Sequence, residues 1–316
     1  MHKLIYESFP NEDGTFTHVR RDFLEYKIIV VDEVSMAGMT LMKDLSSFDG
    51  IYVICLGDPG QLPPVQKNED NHLLDKPHIF LDEIMRQAAE SEIIQLTMNI
   101  REGNEIEEQQ GKEVQVFNKE KLTDGMLQWA DQVICSTNKT REDLNNYMRK
   151  MYGHGSNPEV GDKIICLKNE WNRLSDCENP LINGTIGYIT KIKEETIYIP
   201  RFIKVNLKSY KIYVVDIETE TGEHFYDIPI DRNMLLYGES VLDFKLGYQL
   251  ARTQLKNKVP IDFAYAYAIT GHKSQGSEWN KVLVIEERFP FSQDEHKRWV
   301  YTCATRAAER LVVIKK

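Results

Sequence analysis

Four short apolar runs, rich in β-branched residues and each ending at polar residues, constrain the fold most strongly. They are KIIVVDE, IYVICLGD, DQVICSTN and KVLVIEE, which begin at residues 27, 51, 131 and 281. A continuously apolar strand is typical of a parallel sheet, because helices cover both of its faces. Segments with helical spacing lie between the runs, as in EIIQLTMNIREG and TREDLNNYMRKMY. The sequence therefore predicts an α/β fold built on parallel sheets.

In the middle of the chain the pattern changes to short apolar runs separated by turn signals. Asn183-Gly184 and Thr221-Gly222 are such signals, and both favour tight turns between antiparallel strands. This pattern predicts a small antiparallel β-barrel inserted into the α/β frame. Ahead of the first strand, residues 5–24 carry mixed aromatic and polar residues around NEDG. They predict a protruding hairpin, with a plain surface loop as the alternative.

Composition narrows the class of protein. The chain has 316 residues and a formal net charge of −10. Such a chain does not coat nucleic acid by bulk charge, although a local groove stays open. Its five scattered cysteines lack close Cys-Cys or Cys-His spacing, which indicates reduced thiols rather than disulfides or a metal site. No apolar run is long enough to span a bilayer, and the N-terminal MHKLIYESFPNEDG becomes acidic too soon for a secretory signal. The sequence therefore predicts a cytoplasmic protein.

Asp32 and Glu33 form an acidic pair at the carboxyl end of the first apolar run. Ligands of open α/β sheets bind at the carboxyl ends of the strands. The first acid can hold Mg²⁺ through water, and the second can polarise an attacking water. The alternative is that both acids end the strand simply by reaching solvent.

The second apolar run continues into LGDPGQLPPV, which places Asp58 and Gln61 just past a second strand end. Pro63 and Pro64 stiffen this turn. The Gln61 amide donates hydrogen bonds without adding charge, so it suits a sensor of a terminal phosphate. The two strand ends together predict a site for a phosphorylated nucleotide.

These segments resemble, in order, the motifs of superfamily-one DNA helicases of the RecD-like branch, which also holds the phage Dda-type enzymes. VVDEVSM is similar to motif II, LGDPGQLPPV to motif III, AITGHKSQGSEW to motif V and VYTCATRAAERL to motif VI. The resemblance implies an ATP-dependent helicase that uses ATP and Mg²⁺ and moves 5′ to 3′ on single-stranded DNA. It implies catalytic roles for Asp32, Glu33 and Gln61, with Mg²⁺ on Asp32 through water and Asp58 at the nucleotide.

The resemblance extends to two arginines. LDEIMRQ is similar to the family segment that supplies an arginine to the γ-phosphate, which is Arg86 here, although RQAAESE also suits an ordinary amphipathic helix. Arg306 follows Ala304-Thr305 on a predicted helix, from which a second domain can offer it to the transferring phosphoryl group. The alternative for Arg306 is a surface salt bridge.

Further matches imply contacts with DNA and with the nucleotide ribose. VICSTNKTREDLN resembles the start of the second RecA-like domain, with Thr137 and Asn138 at its ligand-facing turn. In TGHKSQGSE, hydroxyl, imidazole and ammonium groups follow a predicted strand and suit phosphate oxygens of single-stranded DNA. The predicted DNA contacts there are Thr270, His272, Lys273 and Ser274. Gly276 permits close backbone approach, and Glu278 can accept a hydrogen bond from the ribose.

The resemblance also implies the domain organisation. The remainder of a first RecA-like domain is expected at 1–105, with a pin hairpin at about 5–24, and a second RecA-like domain at 106–158 and 256–316. GDKIICLKN and LINGTIGYI resemble parts of an SH3-like barrel, expected at 159–255. The predicted fold class is α/β, with two RecA-like parallel-sheet domains, the first incomplete, and the inserted barrel.

No phosphate-binding loop of the form Gly-x-x-x-x-Gly-Lys-Ser/Thr occurs in the sequence. In the family this loop precedes the position of Met1, so the chain is expected to begin after it. A chain or segment that supplies the loop is therefore expected, and hydrolysis of ATP by this chain alone is not. Two alternatives remain open: an ATPase-inactive DNA-binding or regulatory subunit, and a metal-dependent nuclease that uses Asp32 and Glu33 but lacks a further acid cluster for a second metal.

Overall fold

A computed structural model describes residues 1–11, 15–64, 69–81, 90–287 and 292–315, without the side chains of Pro10 and Phe244. The chain forms two compact units. The first unit comprises Met1–Phe9, His18–Arg141 and Ile269–Lys316, and the second comprises Pro10–Thr17 and Glu142–Ala268.

Helices and strands alternate along much of the described chain. The α-helices there are α1 (His2–Ile5), α2 (Met39–Ser46), α3 (Glu92–Arg101), α4 (Asp124–Trp129), α5 (Asn138–Met151), α6 (Arg232–Tyr237), α7 (Phe244–Ala251), α8 (Gly271–Ser274) and α9 (Gln293–Ala304). The strands are β1 (Tyr6–Pro10), β2 (Phe16–Arg20), β3 (Ile28–Val31), β4 (Tyr52–Cys55), β5 (Gln109–Gln110), β6 (Val114–Asn118), β7 (Gln132–Cys135), β8 (Lys163–Cys166), β9 (Glu170–Leu174), β10 (Pro180–Leu181), β11 (Ile186–Tyr198), β12 (Ser209–Thr219), β13 (His224–Asp231), β14 (Phe263–Tyr265), β15 (Ala268–Thr270), β16 (Trp279–Ile285) and β17 (Ala307–Lys315). Among the described residues, no helix is both long and apolar enough to cross a bilayer.

A six-stranded sheet is the largest element of the first unit, with the strand order β15-β7-β16-β17-β6-β5. β16 pairs parallel with β17 and with β7, and β17 pairs parallel with β6. All of β7 and the second half of β16 are buried at consecutive positions. Consecutive burial means that both faces of these strands are covered, because successive side chains point to opposite faces. The prediction of buried parallel strands at DQVICSTN and KVLVIEE is confirmed.

β3 and β4 form a separate two-stranded parallel sheet. Ile29 and Val31 are buried in a cluster that includes residues of α2. The opposite face is open, with exposed fractions of 61% for Ile28, 56% for Val30, 74% for Tyr52 and 48% for Ile54. The prediction that both faces are covered is therefore wrong for this sheet within the described part of the chain. The physical reason is that α2 packs against only one face of this sheet.

A hairpin precedes β3. β1 and β2 pair in a two-stranded sheet, and the Asn11 N–H donates to the Thr15 carbonyl at 2.8 Å near its tip. Residues 12–14 of the tip lie outside the described residues. At the base, the Arg20 guanidinium lies 3.7 Å from the centre of the Phe48 ring. A hairpin thus forms where the sequence predicts one.

A five-stranded antiparallel sheet dominates the second unit, in the order β13-β12-β11-β8-β14. Its longest pairing joins β11 to β12 and carries one register shift. Gly184, in the turn that leads from β10 into β11, has φ +97°, and Gly222, in the turn between β12 and β13, has φ +82°. Glycine adopts both conformations at little steric cost. The turns predicted at Asn183-Gly184 and Thr221-Gly222 are therefore present.

Candidate functional site

The acidic pair lies directly after β3, where the backbone leaves the sheet. Glu33 has φ +50° and ψ +45°, a left-handed conformation that costs a non-glycine residue about 1–2 kcal/mol. The Glu33 N–H donates to Asp32 Oδ1 at 2.8 Å, and the Val34 N–H donates to the Leu56 carbonyl at 2.9 Å. These bonds offset the strain and fix the turn. Asp32 is exposed and Glu33 is half-buried, so solvent reaches both residues.

Asp32 is the residue predicted to hold a metal ion. Among the described residues, no group of three or more His, Cys, Asp and Glu side chains is placed to hold one. Mg²⁺ ordinarily keeps several water ligands and needs only one or two carboxylates. The exposed Asp32 carboxylate therefore suits Mg²⁺ bound through water, and does not suit an all-protein metal cage.

The turn after β4 presents Gln61 in a buried position. Gln61 is 8% exposed, and its side-chain oxygen has no hydrogen-bond partner among the described residues. A buried unpaired polar atom costs about 1–3 kcal/mol, so a ligand that donates a hydrogen bond there would stabilise the site. The turn is closed by Asp58, whose carbonyl accepts from the Gln61 N–H at 3.1 Å and whose Oδ1 accepts from the Gly60 N–H at 2.8 Å.

Two residues of α9 hold the Gln61 turn. The Tyr301 hydroxyl donates to Asp58 Oδ2 at 2.5 Å, and the Leu62 N–H donates to Thr302 Oγ1 at 3.0 Å. Burial and the hydrogen bond to Asp58 raise the pKa of Tyr301 well above its usual value. The Asp58 carboxylate, predicted to contact the nucleotide, is thus already engaged by Tyr301 and by Gly60. Sequence reasoning missed this role of Tyr301, which stands 243 positions from Asp58.

Arg306 follows α9 and is 8% exposed. Its Nε donates to the Thr302 carbonyl at 3.0 Å, its Nη1 to the Ser277 carbonyl at 3.2 Å, and its Nη2 to Thr305 Oγ1 at 3.0 Å. The guanidinium therefore joins the turn at Ser277 to the end of α9, rather than lying at the surface. Contact with a phosphoryl group requires that Arg306 exchange these bonds. Arg86, the other predicted arginine, lies outside the described residues.

The four DNA contacts predicted at and after the end of β15 fall into two pairs. Thr270 and Ser274 are buried, and the Ser274 hydroxyl donates to the Gly271 carbonyl at 2.8 Å. His272 and Lys273 are half-buried. Burial lowers the pKa of His272, so its imidazole is neutral at pH 7. His272 and Lys273 are therefore the more accessible pair, and Thr270 and Ser274 are the less accessible pair.

Glycine is required at two positions of the same segment for different reasons. A Cβ added at Gly271 would lie 2.4 Å from Trp299 Nε1 and 2.8 Å from Cys303 Sγ, so close packing on α9 excludes it. Gly276 has φ +76°, and an added Cβ there would meet no described atom within 4 Å. Backbone conformation rather than space therefore favours glycine at Gly276. Glu278, predicted to bind the ribose, is exposed.

The turn between β7 and α5 holds the predicted DNA contacts Thr137 and Asn138. The Glu287 carboxylate accepts hydrogen bonds from the N–H groups of Ser136 at 3.1 Å and Thr137 at 3.3 Å, and from the hydroxyls of Ser136 and Thr140. Burial opposes ionisation of Glu287, but these hydrogen bonds outweigh it and hold its pKa below the usual value. Asn138 is exposed. Sequence reasoning missed Glu287, although an acid at the end of a buried strand was a signal.

Comparisons with known proteins agree with this architecture. Residues 3–120 match an AAA domain family, and residues 265–314 match the UvrD-like helicase C-terminal domain. The ATP-dependent RecD2 DNA helicase of Deinococcus radiodurans is 26% identical over 93% of this chain. The chain spans 37% of the length of that relative.

Solved structures show the same fold at low sequence identity. The Pif1 helicase of Candida albicans aligns with a TM-score of 0.52 and 18% identity, over 92% of this chain and 72% of that one. A Bacteroides Pif1 helicase in complex with ADP-AlF3 and single-stranded DNA aligns with a TM-score of 0.51 and 16% identity, over 92% of this chain and 70% of that one.

The parallel sheets, with acids and a buried glutamine at the carboxyl ends of β3 and β4, define a protein with the RecA-like helicase fold. Within that class the two family matches and the RecD2 relative make the chain similar to the RecD/Pif1-like branch of the superfamily-one DNA helicases. The resemblance stated from the sequence motifs is confirmed.

Proposed function

We propose that the chain is the main body of an ATP-dependent DNA helicase that moves 5′ to 3′ along single-stranded DNA. The observation that carries this proposal is the turn at Gln61, which is hydrogen-bonded to Tyr301 and Thr302 on the helix that leads to Arg306. If the terminal phosphate moves Gln61, these hydrogen bonds would also move the helix that leads to Arg306. A translocating enzyme needs such a connection, because its conformational steps must follow the chemistry.

Each predicted catalytic residue has a role in this proposal. Asp32 would hold Mg²⁺ through water, and Glu33 would polarise the attacking water. The unpaired side-chain oxygen of Gln61 accepts a hydrogen bond from that water. Arg306, once released from its internal acceptors, and Arg86 stabilise negative charge on the γ-phosphate of ATP. A bound Mg²⁺ would neutralise part of the negative charge on the phosphates of ATP.

The open face of β3 and β4 supports the proposal that another chain or segment supplies the phosphate-binding loop. Parallel sheets are ordinarily covered on both faces, yet this face exposes apolar side chains. A further parallel strand beside this sheet would end next to Asp32 and Gln61, because parallel strands share one carboxyl edge. Backbone amides of a loop at that edge, at the start of a helix, would then bind the phosphates.

Single-stranded DNA is the proposed polymer substrate, in line with the ligand of the Bacteroides neighbour. Among the predicted DNA contacts, Asn138 is exposed, and Thr137, His272 and Lys273 are half-buried. Gly276 would permit close backbone approach, and Glu278 would accept a hydrogen bond from the ribose. The hairpin of β1 and β2 is the proposed strand-separating pin. The antiparallel sheet of the second unit is the proposed SH3-like barrel. Strands β8, β11, β12 and β13 lie within the predicted limits of 159–255, whereas β14 lies beyond them.

Hydrolysis of Mg²⁺-ATP with and without single-stranded DNA tests the proposal, with Glu33→Gln as the matched variant. We expect no hydrolysis by the chain alone and DNA-stimulated, Glu33-dependent hydrolysis when it is joined to a segment that carries the phosphate-binding loop. Glu33-dependent hydrolysis by the chain alone would refute the proposal that another chain or segment supplies the phosphate-binding loop. DNA binding without hydrolysis in the completed protein would favour a regulatory subunit, and metal-dependent DNA cleavage without nucleotide would favour a nuclease.

A further inference from the structure

A basic cavity lies in the first unit, beside the Gln61 turn. Its volume is about 270 Å³, and α3, α9 and the turn after β4 line it. The side chains that matter for its chemistry are those of Arg101, Asp294, Lys297, Arg298 and Tyr301. The four on α9 have the spacing of one helix face, which brings them to the same side of the helix. Gly60 also lines the cavity.

The charge of this cavity is opposite to that of the whole chain. Three cations, Arg101, Lys297 and Arg298, line it, and Asp294 is the one carboxylate among its described lining residues. The chain as a whole carries a formal net charge of −10. Gathering three like charges around one concave space is unfavourable unless an anion enters it. The Tyr301 hydroxyl is already committed to Asp58, so the three cations supply the available donors.

The size of the cavity suits a small anion. Pockets for whole cofactors and drug-sized ligands usually span about 300–1,000 Å³, and this cavity lies just under that range. A phosphate group fits within it. Arginine guanidinium groups also match phosphate oxygens in paired hydrogen bonds, and lysine adds a mobile point charge. The geometry therefore favours one phosphate group over an apolar ligand.

We propose that this cavity binds a phosphate group of single-stranded DNA. The assignment of this phosphate to DNA rests on the proposed function. The preference for a phosphate group rests on the cavity alone. None of the predicted DNA contacts lines this space, so it adds a separate site. A DNA phosphate held there lies against Gly60 and Tyr301, which places it beside the turn that carries Gln61.

Two titrations on the same variants test the site. Lys297→Gln/Arg298→Gln removes two of its charges, and Lys112→Gln/Lys119→Gln removes two charges from exposed positions of the same unit. Inorganic phosphate is titrated by calorimetry, and a labelled oligothymidylate by fluorescence anisotropy at several salt concentrations. Circular dichroism and thermal unfolding confirm that all the variants are folded.

We expect the cavity variant to bind phosphate at least about tenfold more weakly than wild type and to bind oligothymidylate more weakly to a similar extent. The slope of log K against log salt should fall by about 0.7 for each phosphate of the single strand that the variant no longer neutralises. The control variant should keep phosphate binding. Unchanged phosphate binding in the cavity variant overturns the site. Weakened phosphate binding with unchanged oligothymidylate binding overturns the assignment of the phosphate to DNA. The ligand of the cavity is then free phosphate or the phosphate of a nucleotide. A wild-type chain that binds phosphate but no oligothymidylate contradicts the proposed function instead.

Discussion

Replacing Tyr301 by phenylalanine tests the connection between α9 and the Gln61 turn most directly. The change deletes one hydroxyl and keeps the ring, which lies against Gly60, where an added Cβ would meet it at 3.0 Å. The bond that the change removes joins the hydroxyl to Asp58 Oδ2 over 2.5 Å. A hydrogen bond to a charged acceptor contributes about 1.5–3 kcal/mol. Both residues are only half-buried, so solvent replaces part of the bond and we expect a loss of about 1–2 kcal/mol.

Thermal and denaturant unfolding measure this loss. In a cooperative unit of about 150–250 residues, such as the first unit, each kcal/mol lowers the Tm by roughly 2–4 °C. A double-mutant cycle with Asp58→Asn isolates the pair, and we expect a coupling energy of about 1 kcal/mol between the two positions. In the protein completed with a phosphate-binding loop, the same variant should lower DNA-stimulated hydrolysis more than it lowers ATP affinity, because the Gln61 turn loses one of its anchors.

The matched control is Tyr26→Phe, which deletes a hydroxyl from a tyrosine that is 58% exposed in the same unit. It should change the free energy of unfolding by less than about 0.5 kcal/mol. Equal effects of Tyr301→Phe and Tyr26→Phe, or a coupling energy near zero in the cycle with Asp58→Asn, would refute the argument that Tyr301 anchors the turn.

Three further substitutions test other parts of the site. Gly271→Ala should cost about 1–3 kcal/mol by overpacking, because its Cβ would lie 2.4 Å from Trp299 Nε1; Gly125→Ala, a helical control whose added Cβ would have its nearest neighbour at 3.8 Å, should be neutral or stabilising in the same unfolding assay. Arg306→Lys should lower the Tm, because an ammonium cannot reproduce three divergent hydrogen bonds, and an unchanged Tm would contradict the bracing role. Glu287→Gln should be less stable than wild type at pH 7. Because the folded-state pKa of Glu287 is lowered, this stabilisation exists above the usual value of 4.5 and is lost as the pH falls below it, so the difference should shrink in acid.

The parallel strands could be predicted from the sequence because their signal is local. Val133, Ile134 and Val282 stand in continuous apolar runs, and the six-stranded sheet buries them completely. The same signal at β3 and β4 could not show that one face is open. Ile28 and Val30 have the composition of buried residues whether or not a covering layer is present, so the pattern alone does not reveal the exposed face.

The candidate site likewise contains residues that the sequence could place and contacts that it could not. Asp32 and Gln61 could be placed because each follows directly after a strand, and the end of a parallel strand is a ligand position. The bond between Asp58 and Tyr301 joins residues 243 positions apart, and no periodicity specifies such a pair. Burial of Arg306 was equally hidden, because its acceptors are two backbone carbonyls and one hydroxyl rather than a recognisable acidic partner.

Glu287 changes how the predicted DNA contacts at the start of α5 must be understood. Its carboxylate already accepts hydrogen bonds from the backbone N–H groups of Ser136 and Thr137, which are the groups that a helix start offers to an anion. A DNA phosphate at the same amides would meet a negative charge held in place by four hydrogen bonds, and like charges repel strongly at such short distance. Thr137 is therefore a poor phosphate ligand while Glu287 stays bound. The exposed Asn138 amide avoids this repulsion, so it is the residue of this turn from which a contact with DNA is expected.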